Sequence, residues 1–227
     1  MAFIVNIETA TQVCSAALAQ DGKVLVSKEE HIPQSHASLL TSFIKQVVEE
    51  ANLQLKELDA VAISAGPGSY TGIRIGISVA KGLCYGLQCP LIKVNTLQAM
   101  ANGAKMRLKA NLTADTYFVP MIDARRMEVF TAIFDKDLKE IKSSHPKVID
   151  KTIFAEYSQK LYFFGTGAPK CSPFINSPKD TLLEPFSCSA SHMATLSGES
   201  FNAQRFEALD KIKADYFKSF YTKSKLI

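Results

Sequence analysis

An α/β fold of two related lobes is the architecture the sequence predicts. Short apolar runs alternate with stretches whose apolar residues recur every 3–4 positions, the first 109 residues read βββαβαβα, and the opening pattern restarts 115 residues later. Phe3–Ile7 is an apolar run of strand length, and Cys14–Ala19 is a second. Asp21-Gly22 follows, two residues that tolerate positive φ, so Val24–Val26 returns as the third strand of an antiparallel meander. From Ser38 to Ala51, Leu39, Leu40, Phe43, Ile44, Val47 and Val48 mark one face of a helix. Leu58–Ser64 reads as a strand. Gly66–Gly72 is a glycine loop opening a second helix to about Tyr85, Pro90–Val94 is a buried strand, and a third helix runs from Thr96 to about Lys109.

The second half repeats this order with little identity. Ile7-Glu8 aligns with Ile122-Asp123, Ala17 with Ala132 and Leu18 with Ile133, and the Asp21-Gly22 turn falls beside Asp135–Asp137. Leu161–Phe164 runs into Gly165-Thr-Gly167 as Val61–Ser64 runs into Gly66-Pro-Gly68. Helices from about Ala190 to Leu209 and a C-terminal helix complete the chain. The expected division is a first lobe, 1–109, and a second, 110–227, with the C-terminal helix packing back on the first. The lobes face each other across a cleft, with both acids and both glycine loops at strand ends lining it.

Composition narrows the function classes. The chain has 227 residues, 47% hydrophobic and 21% charged, ample for a core and unlike a disordered chain. The net charge of +4 permits nucleic acid nearby without requiring it. No apolar run reaches the ~20 residues of a membrane span, and Met1–Glu8 lacks the basic start of a signal peptide. Five cysteines without a CxxC pair suggest neither a disulfide framework nor a zinc knuckle. A cytoplasmic protein without a membrane partner is expected, its cysteines filling the core.

The chemistry-bearing features each admit two readings. The loop Gly66–Gly76 sits between strand and helix, where backbone N–H groups can face an anion. It is neither a Walker A loop nor GxGxxG, and its spacing leaves both a nucleotide-phosphate cradle (Gly66, Gly68, Ser69, Thr71) and a tight structural turn open. Gly165 and Gly167 form a weaker second loop. Glu8 and Asp123, at equivalent strand ends, could hold Mg²⁺ through water beside a nucleotide, or cap local turns. Gly72, Gly76, Ala80 and Cys84 recur every four residues, a face either reserved for another subunit or packed on the chain's own sheet. His36 is followed four positions on by Leu40, so no helical metal pair exists, and no GxSxG elbow anchors a hydrolase. From Lys211 onward, lysines interleave with Tyr216, Phe217, Phe220 and Tyr221, which suits either an amphipathic terminal helix or contact with RNA.

Ile7-Glu-Thr-Ala-Thr11, Gly66-Pro-Gly-Ser-Tyr-Thr-Gly-Ile-Arg-Ile-Gly76, Val94-Asn-Thr-Leu97 and Ile122-Asp-Ala-Arg125 together resemble the TsaB (YeaZ) family. The similarity runs through about residue 135, with later echoes only at Gly165–Gly167 and Asp215–Phe217. The resemblance implies the actin/Hsp70/sugar-kinase (RNase H-like) fold, two lobes each with a mixed sheet of βββαβα type. It implies a non-catalytic scaffold subunit in forming the threonylcarbamoyl group on adenosine 37 of ANN-decoding tRNAs. Its partners would be a catalytic TsaD-type paralogue and a TsaE-type ATPase, with tRNA reached through the complex and a homodimer formed when alone. The implied partner surface lies on the helices after the third strand and after the glycine loop, through His36, Leu40, Phe43, Gly72, Ile73, Gly76, Ile77 and Ala80. On that reading Gly76→Leu blocks pairing and leaves the fold intact. No catalytic residue, metal or tightly held cofactor is implied; ATP or ADP would sit at the subunit joint. The family's usual first-strand Asp is Glu8 here, and its Met-Gly-Glu-Val reads Arg126-Met-Glu-Val129. A stand-alone ATPase or kinase of this fold is the alternative, and a glycoprotease-like peptidase a weaker one.

Overall fold

The computed structural model describes residues 1–32, 35–109, 112–150, 152–175 and 177–217. The chain forms β1 (Phe3–Glu8), β2 (Cys14–Gln20), β3 (Lys23–Glu30), α1 (His36–Glu50), β4 (Ala60–Ser64), α2 (Tyr70–Leu87), β5 (Leu91–Val94) and α3 (Thr96–Leu108). It continues as β6 (Thr116–Asp123), β7 (Glu128–Asp135), β8 (Glu140–Val148), β9 (Lys160–Phe164), α4 (Ala168–Cys171), β10 (Thr181–Leu183) and α5 (Ala194–Asn202). Two five-stranded sheets result, ordered β3-β2-β1-β4-β5 and β10-β9-β6-β7-β8. In each, the first three strands are antiparallel and the last two join parallel. The repeat inferred from the sequence is therefore a repeat of topology.

The repeat's register departs from the sequence alignment by one residue. Val5 pairs with Leu18, whereas the β6–β7 partners, such as Met121 with Thr131, place Ala132 rather than Ile133 in Leu18's position. The β6–β7 connection is one residue shorter than the β1–β2 connection, which alternation alone cannot reveal. Turns replace the second lobe's counterpart of α1, and the four-residue α4 replaces α2.

Alternation explains the sheet faces. β1, β2 and β4 are buried on both sides, matching their continuous apolar runs, while β3, at the edge, alternates exposed and half-buried residues. One face of the first sheet packs on α1 and α2 around Val5, Ile7, Leu40, Ile63 and Ile73. Its other face packs on α5 through Ile4, Ala62, Ile92 and Leu196. The third helix, allotted by sequence to the first lobe, lies between the sheets: Ala99 meets the first, while Leu97, Met100, Ala101 and Ala104 pack with Phe118, Phe134 and Phe164 of the second.

The end of the chain differs most from expectation. Only Ala194–Asn202 is α-helical, preceded by a 3₁₀ turn at Ala190–Met193; residues 203–209 are not helical. Residues 212–217 carry no helix either, yet the segment does return to the first sheet. Glu207 bridges Leu91 on the β5 edge, Asp215 N–H donates to the Ala65 carbonyl at 2.8 Å, and Lys93 pairs with Asp215 at 2.7 Å. Tyr216 stacks on Tyr70, and its hydroxyl accepts from Arg74 Nε at 3.1 Å. Phe220, Tyr221 and the lysines beyond 217 lie outside the described residues. Among the described residues, no helix is long and apolar enough to cross a membrane.

Candidate functional site

The glycine loop joins β4 to α2. Ser69 caps the helix, its hydroxyl accepting from Gly72 N–H at 3.2 Å. Two further N–H groups of the loop are engaged inside the chain: Gly66 donates to Thr96 Oγ1 at 3.1 Å, and Ser69 donates to the Ala10 carbonyl at 2.6 Å. A Cβ on Gly68 would strike the Ala10 carbonyl oxygen, and one on Gly72 the Thr9 carbonyl oxygen. The turn after β1 thus fills the space in which the sequence allowed a phosphate cradle. Of the four residues expected there, Ser69 and Thr71 face solvent, and Ser69 already has its amide and hydroxyl engaged.

Glu8 does not line an open cleft. Its side chain is sealed beneath the Thr9–Ala10 turn, accepting from the Ala10 amide. Burial raises its pKa from 4.5 to about 7, opposed by hydrogen bonds from Ser64 and from the Ala10 and Thr9 amides. A hydrogen-bonded chain links this carboxyl to the glycine loop: Gly66 N–H reaches Thr96 Oγ1, whose hydroxyl lies 2.7 Å from Ser64 Oγ, and Ser64 reaches Glu8. Residues 188–193 pack over the same place. Ala190 N–H donates to Ser15 Oγ at 2.8 Å, burial raises the Cys188 thiol and the nearby Glu8 charge adds to it, and Asn102 Nδ2 donates to the His192 carbonyl at 2.8 Å.

Asp123 has a different environment from Glu8. It is exposed, and its carboxylate accepts from the Arg125 amide and pairs with Lys170. Gly165 and Gly167 press against Met121 and Ile122 at the end of β6, as a packed turn. Glu8 is thus sealed while Asp123 is open to solvent, and among the described residues no cluster of three His, Cys, Asp or Glu side chains could hold a metal. His36 Nε2 sits 3.0 Å from the Thr11 carbonyl, and buried Leu40 occupies the position of a second ligand. His36 and Leu40 therefore do not form a helical metal pair.

The residues expected to form a partner surface do not lie on the exposed faces of α1 and α2. His36, Leu40, Gly72, Ile73, Gly76, Ile77 and Ala80 are all buried against the first sheet and its β1–β2 turn; only Phe43 is half-exposed. A Cβ on Gly76 would meet Thr9 Oγ1 and come within 2.8 Å of Ile63 Cδ1, so Gly76→Leu disturbs the fold itself. The opposite face of α2 carries a second small-residue stripe, Ser78, Gly82 and Gly86, all exposed, where a Cβ on either glycine meets nothing within 4 Å. Beside it, Ala37 of α1 and Tyr70, Thr71, Arg74, Ile75 and Val79 of α2 line a shallow groove of about 460 Å³. Only the glycine spacing could have disclosed this stripe: Gly82 and Gly86 repeat at four residues, each two residues beyond Ala80 and Cys84 and so about half a helical turn from the buried row.

A family model for TsaD, tRNA N6-adenosine threonylcarbamoyltransferase, matches residues 28–227. The tRNA threonylcarbamoyladenosine biosynthesis protein TsaB of Escherichia coli is 38% identical over 134 residues, 59% of this chain and 55% of that protein. The TsaB protein of Bacillus subtilis is 27% identical over 132 residues, 58% of this chain and 54% of that protein. The chain spans about half the length of these curated relatives. The structure of YeaZ from Pseudomonas aeruginosa superposes with a TM-score of 0.83 at 26% identity, covering 95% of this chain and 100% of that one.

Proposed function

The chain belongs to the tRNA N6-adenosine threonylcarbamoyltransferase (TsaD) family, among its TsaB/YeaZ members, and on that premise we propose that it is a non-catalytic partner subunit in tRNA threonylcarbamoyladenosine formation. The observation that carries this reading is a retained scaffold whose chemical positions are closed. The Ser69 amide bonds the chain's own turn at Ala10, the Gly66 amide bonds Thr96, Glu8 is sealed, and Leu40 stands where a second helical ligand would be. ATP or ADP, in this reading, belongs to the joint between subunits rather than to this chain's loop.

The partner face in this proposal is the outer side of α1 and α2. Two exposed interior glycines cost ~1 kcal/mol each relative to alanine. Gly72 and Gly76 have an internal reason to be glycine, namely their contact with Thr9; Gly82 and Gly86 have none among the described residues. Close approach of a helix from a TsaD-type paralogue supplies that reason. Alone, the same face meets a second copy in an isologous pair, and a TsaE-type ATPase docks beside the joint, with tRNA held by the assembled complex.

The test uses light scattering on a sizing column, with this chain alone and mixed with the TsaD-type protein of the same organism. A heterodimer is expected from the wild type. Gly82→Arg should abolish it while leaving the circular dichroism spectrum and unfolding midpoint of the isolated chain intact. Gly82→Ala should raise the isolated chain's stability by about 1 kcal/mol, because helix propensity improves with nothing to obstruct the methyl group. Full pairing by Gly82→Arg overturns this placement of the face, and separate elution of the wild-type proteins overturns the proposed function.

A further inference from the structure

The C-terminal end of α2 carries a feature that the family role leaves unused. The helix stops at Gln88, whose φ of 53° is left-handed. The N–H groups of Gln88 and Cys89 both turn back to the Cys84 carbonyl, that of Cys89 at 3.2 Å. In a helix ending of this kind the 6→1 bond lays the fourth helical side chain from the end against the second side chain beyond it, usually as an apolar contact. Here those two side chains are Cys84 and Cys89. A backbone closed in this way brings the two Cα atoms near the ~4.4–6.8 Å separation that a disulfide spans.

The two thiols differ in environment. Cys84 is 1% exposed, with its sulfur 3.6 Å from the Pro90 carbonyl oxygen, while Cys89 is partly open to solvent. Their side chains hydrogen-bond to each other. That bond, followed by burial, raises the Cys84 thiol; the same bond lowers the Cys89 thiol against the opposing effect of its own burial. Cys89 is the more accessible sulfur, and its thiol is the one that the interaction between the two side chains lowers. Thiolate character and access together decide which cysteine reacts with an oxidant. The other three, Cys14, Cys171 and Cys188, are buried, and burial raises each thiol.

We propose that Cys84 and Cys89 form a redox-active dithiol that a hydroperoxide converts to an intramolecular disulfide. The Cys89 thiolate attacks one peroxide oxygen, the O–O bond breaks, and the released hydroxide takes up a proton as water, leaving Cys89 as the sulfenic acid. The Cys84 sulfur then attacks the Cys89 sulfur, the S–O bond breaks, and hydroxide leaves as water with the Cys84 proton. Two thiols lose two electrons and two protons in all, and one peroxide becomes two waters. The product staples the end of α2 to the start of β5, beside the edge that Glu207 covers.

Both cysteines fall within one tryptic peptide, Gly82–Lys93, so the test is direct. The full chain is treated with hydrogen peroxide, quenched with an alkylating agent under denaturing conditions, digested and weighed. The expected peptide is two hydrogens lighter than the dithiol and unalkylated, and a small dithiol reductant restores two alkylatable thiols. Cys84→Ser should halt Cys89 at the sulfenic acid, trapped by dimedone, and Cys89→Ser should leave Cys84 reduced in the folded chain. Wild-type protein in which Cys89 proceeds to the sulfinic acid while Cys84 stays alkylatable overturns the proposal, as does identical chemistry in wild type and Cys84→Ser.

Discussion

Gly72→Ala should destabilise the chain by about 3 kcal/mol, at the upper end of what an added core methyl ordinarily costs. The added carbon lands on the Thr9 carbonyl oxygen, a backbone atom of the turn directly after β1, whose last residue Glu8 pairs with Ser15 of β2. Flexible side chains can swing aside, whereas this oxygen moves only if the strand end moves. Because α2 packs against β4 as well as that turn, relief by shifting the helix would open contacts around Ile73 and Ile63. With total stabilities commonly ~5–15 kcal/mol, such a loss leaves a chain that unfolds well before the wild type in urea. Equal unfolding midpoints for Gly72→Ala and wild type would show that the loop is looser than its contacts indicate. Together with the opposite effect expected at Gly82, the comparison separates the two glycine stripes of one helix.

The second large effect is a dependence of stability on pH set by Glu8. Its carboxyl titrates at about 7 in the folded chain and ordinarily at 4.5. Between those values the folded state binds the proton and the unfolded state does not, so stability falls as pH rises. The contribution is whole below 4.5, declines through the window and is lost above 7. The gap corresponds to roughly 3 kcal/mol. Glu8→Gln keeps an oxygen for the Ala10 amide and has no charge to desolvate, so the fall should vanish in that variant. His192 acts oppositely: burial lowers its pKa, and its contribution to stability is lost as pH drops below its ordinary 6.5. Both proteins share it, so the difference between their urea midpoints across pH 4–8.5 isolates Glu8. Parallel curves would mean that the carboxyl is not desolvated.

The sequence made the first lobe legible because its signals are local. Asp21-Gly22 announced the hairpin, and both residues do take positive φ, 49° and 79°. The apolar spacing of Leu40, Ile44, Val47 and Val48 marked the buried face of α1. Repeat detection reached the topology of both sheets but not the register of the second, since one missing residue in a connection leaves alternation unchanged. The site was harder to read. A glycine at a strand–helix junction looks the same whether it admits a phosphate or a neighbouring carbonyl, and only the position of Ala10 decides. The face of α2 was open to two readings for a related reason: small residues mark close approach without saying which neighbour approaches. The C-terminal stretch of lysines and aromatics from Lys211 suited an amphipathic helix or a contact with RNA; over 212–217 it is non-helical, bonded to Ala65 and Lys93 and stacked on Tyr70.

The cover over β5 has a consequence for how the molecule is made. Leu91 waits for Glu207 and Lys93 for Asp215, partners more than a hundred residues downstream. At ribosomal speeds of ~5–20 residues per second, that edge emerges on the order of ten seconds before its cover exists. During that interval the nascent first lobe carries an open parallel edge with unpaired backbone groups, which another chain could pair with. Synthesis of this protein therefore passes through a vulnerable stage, during which a ribosome-bound chaperone would be most useful between the emergence of β5 and that of residue 207.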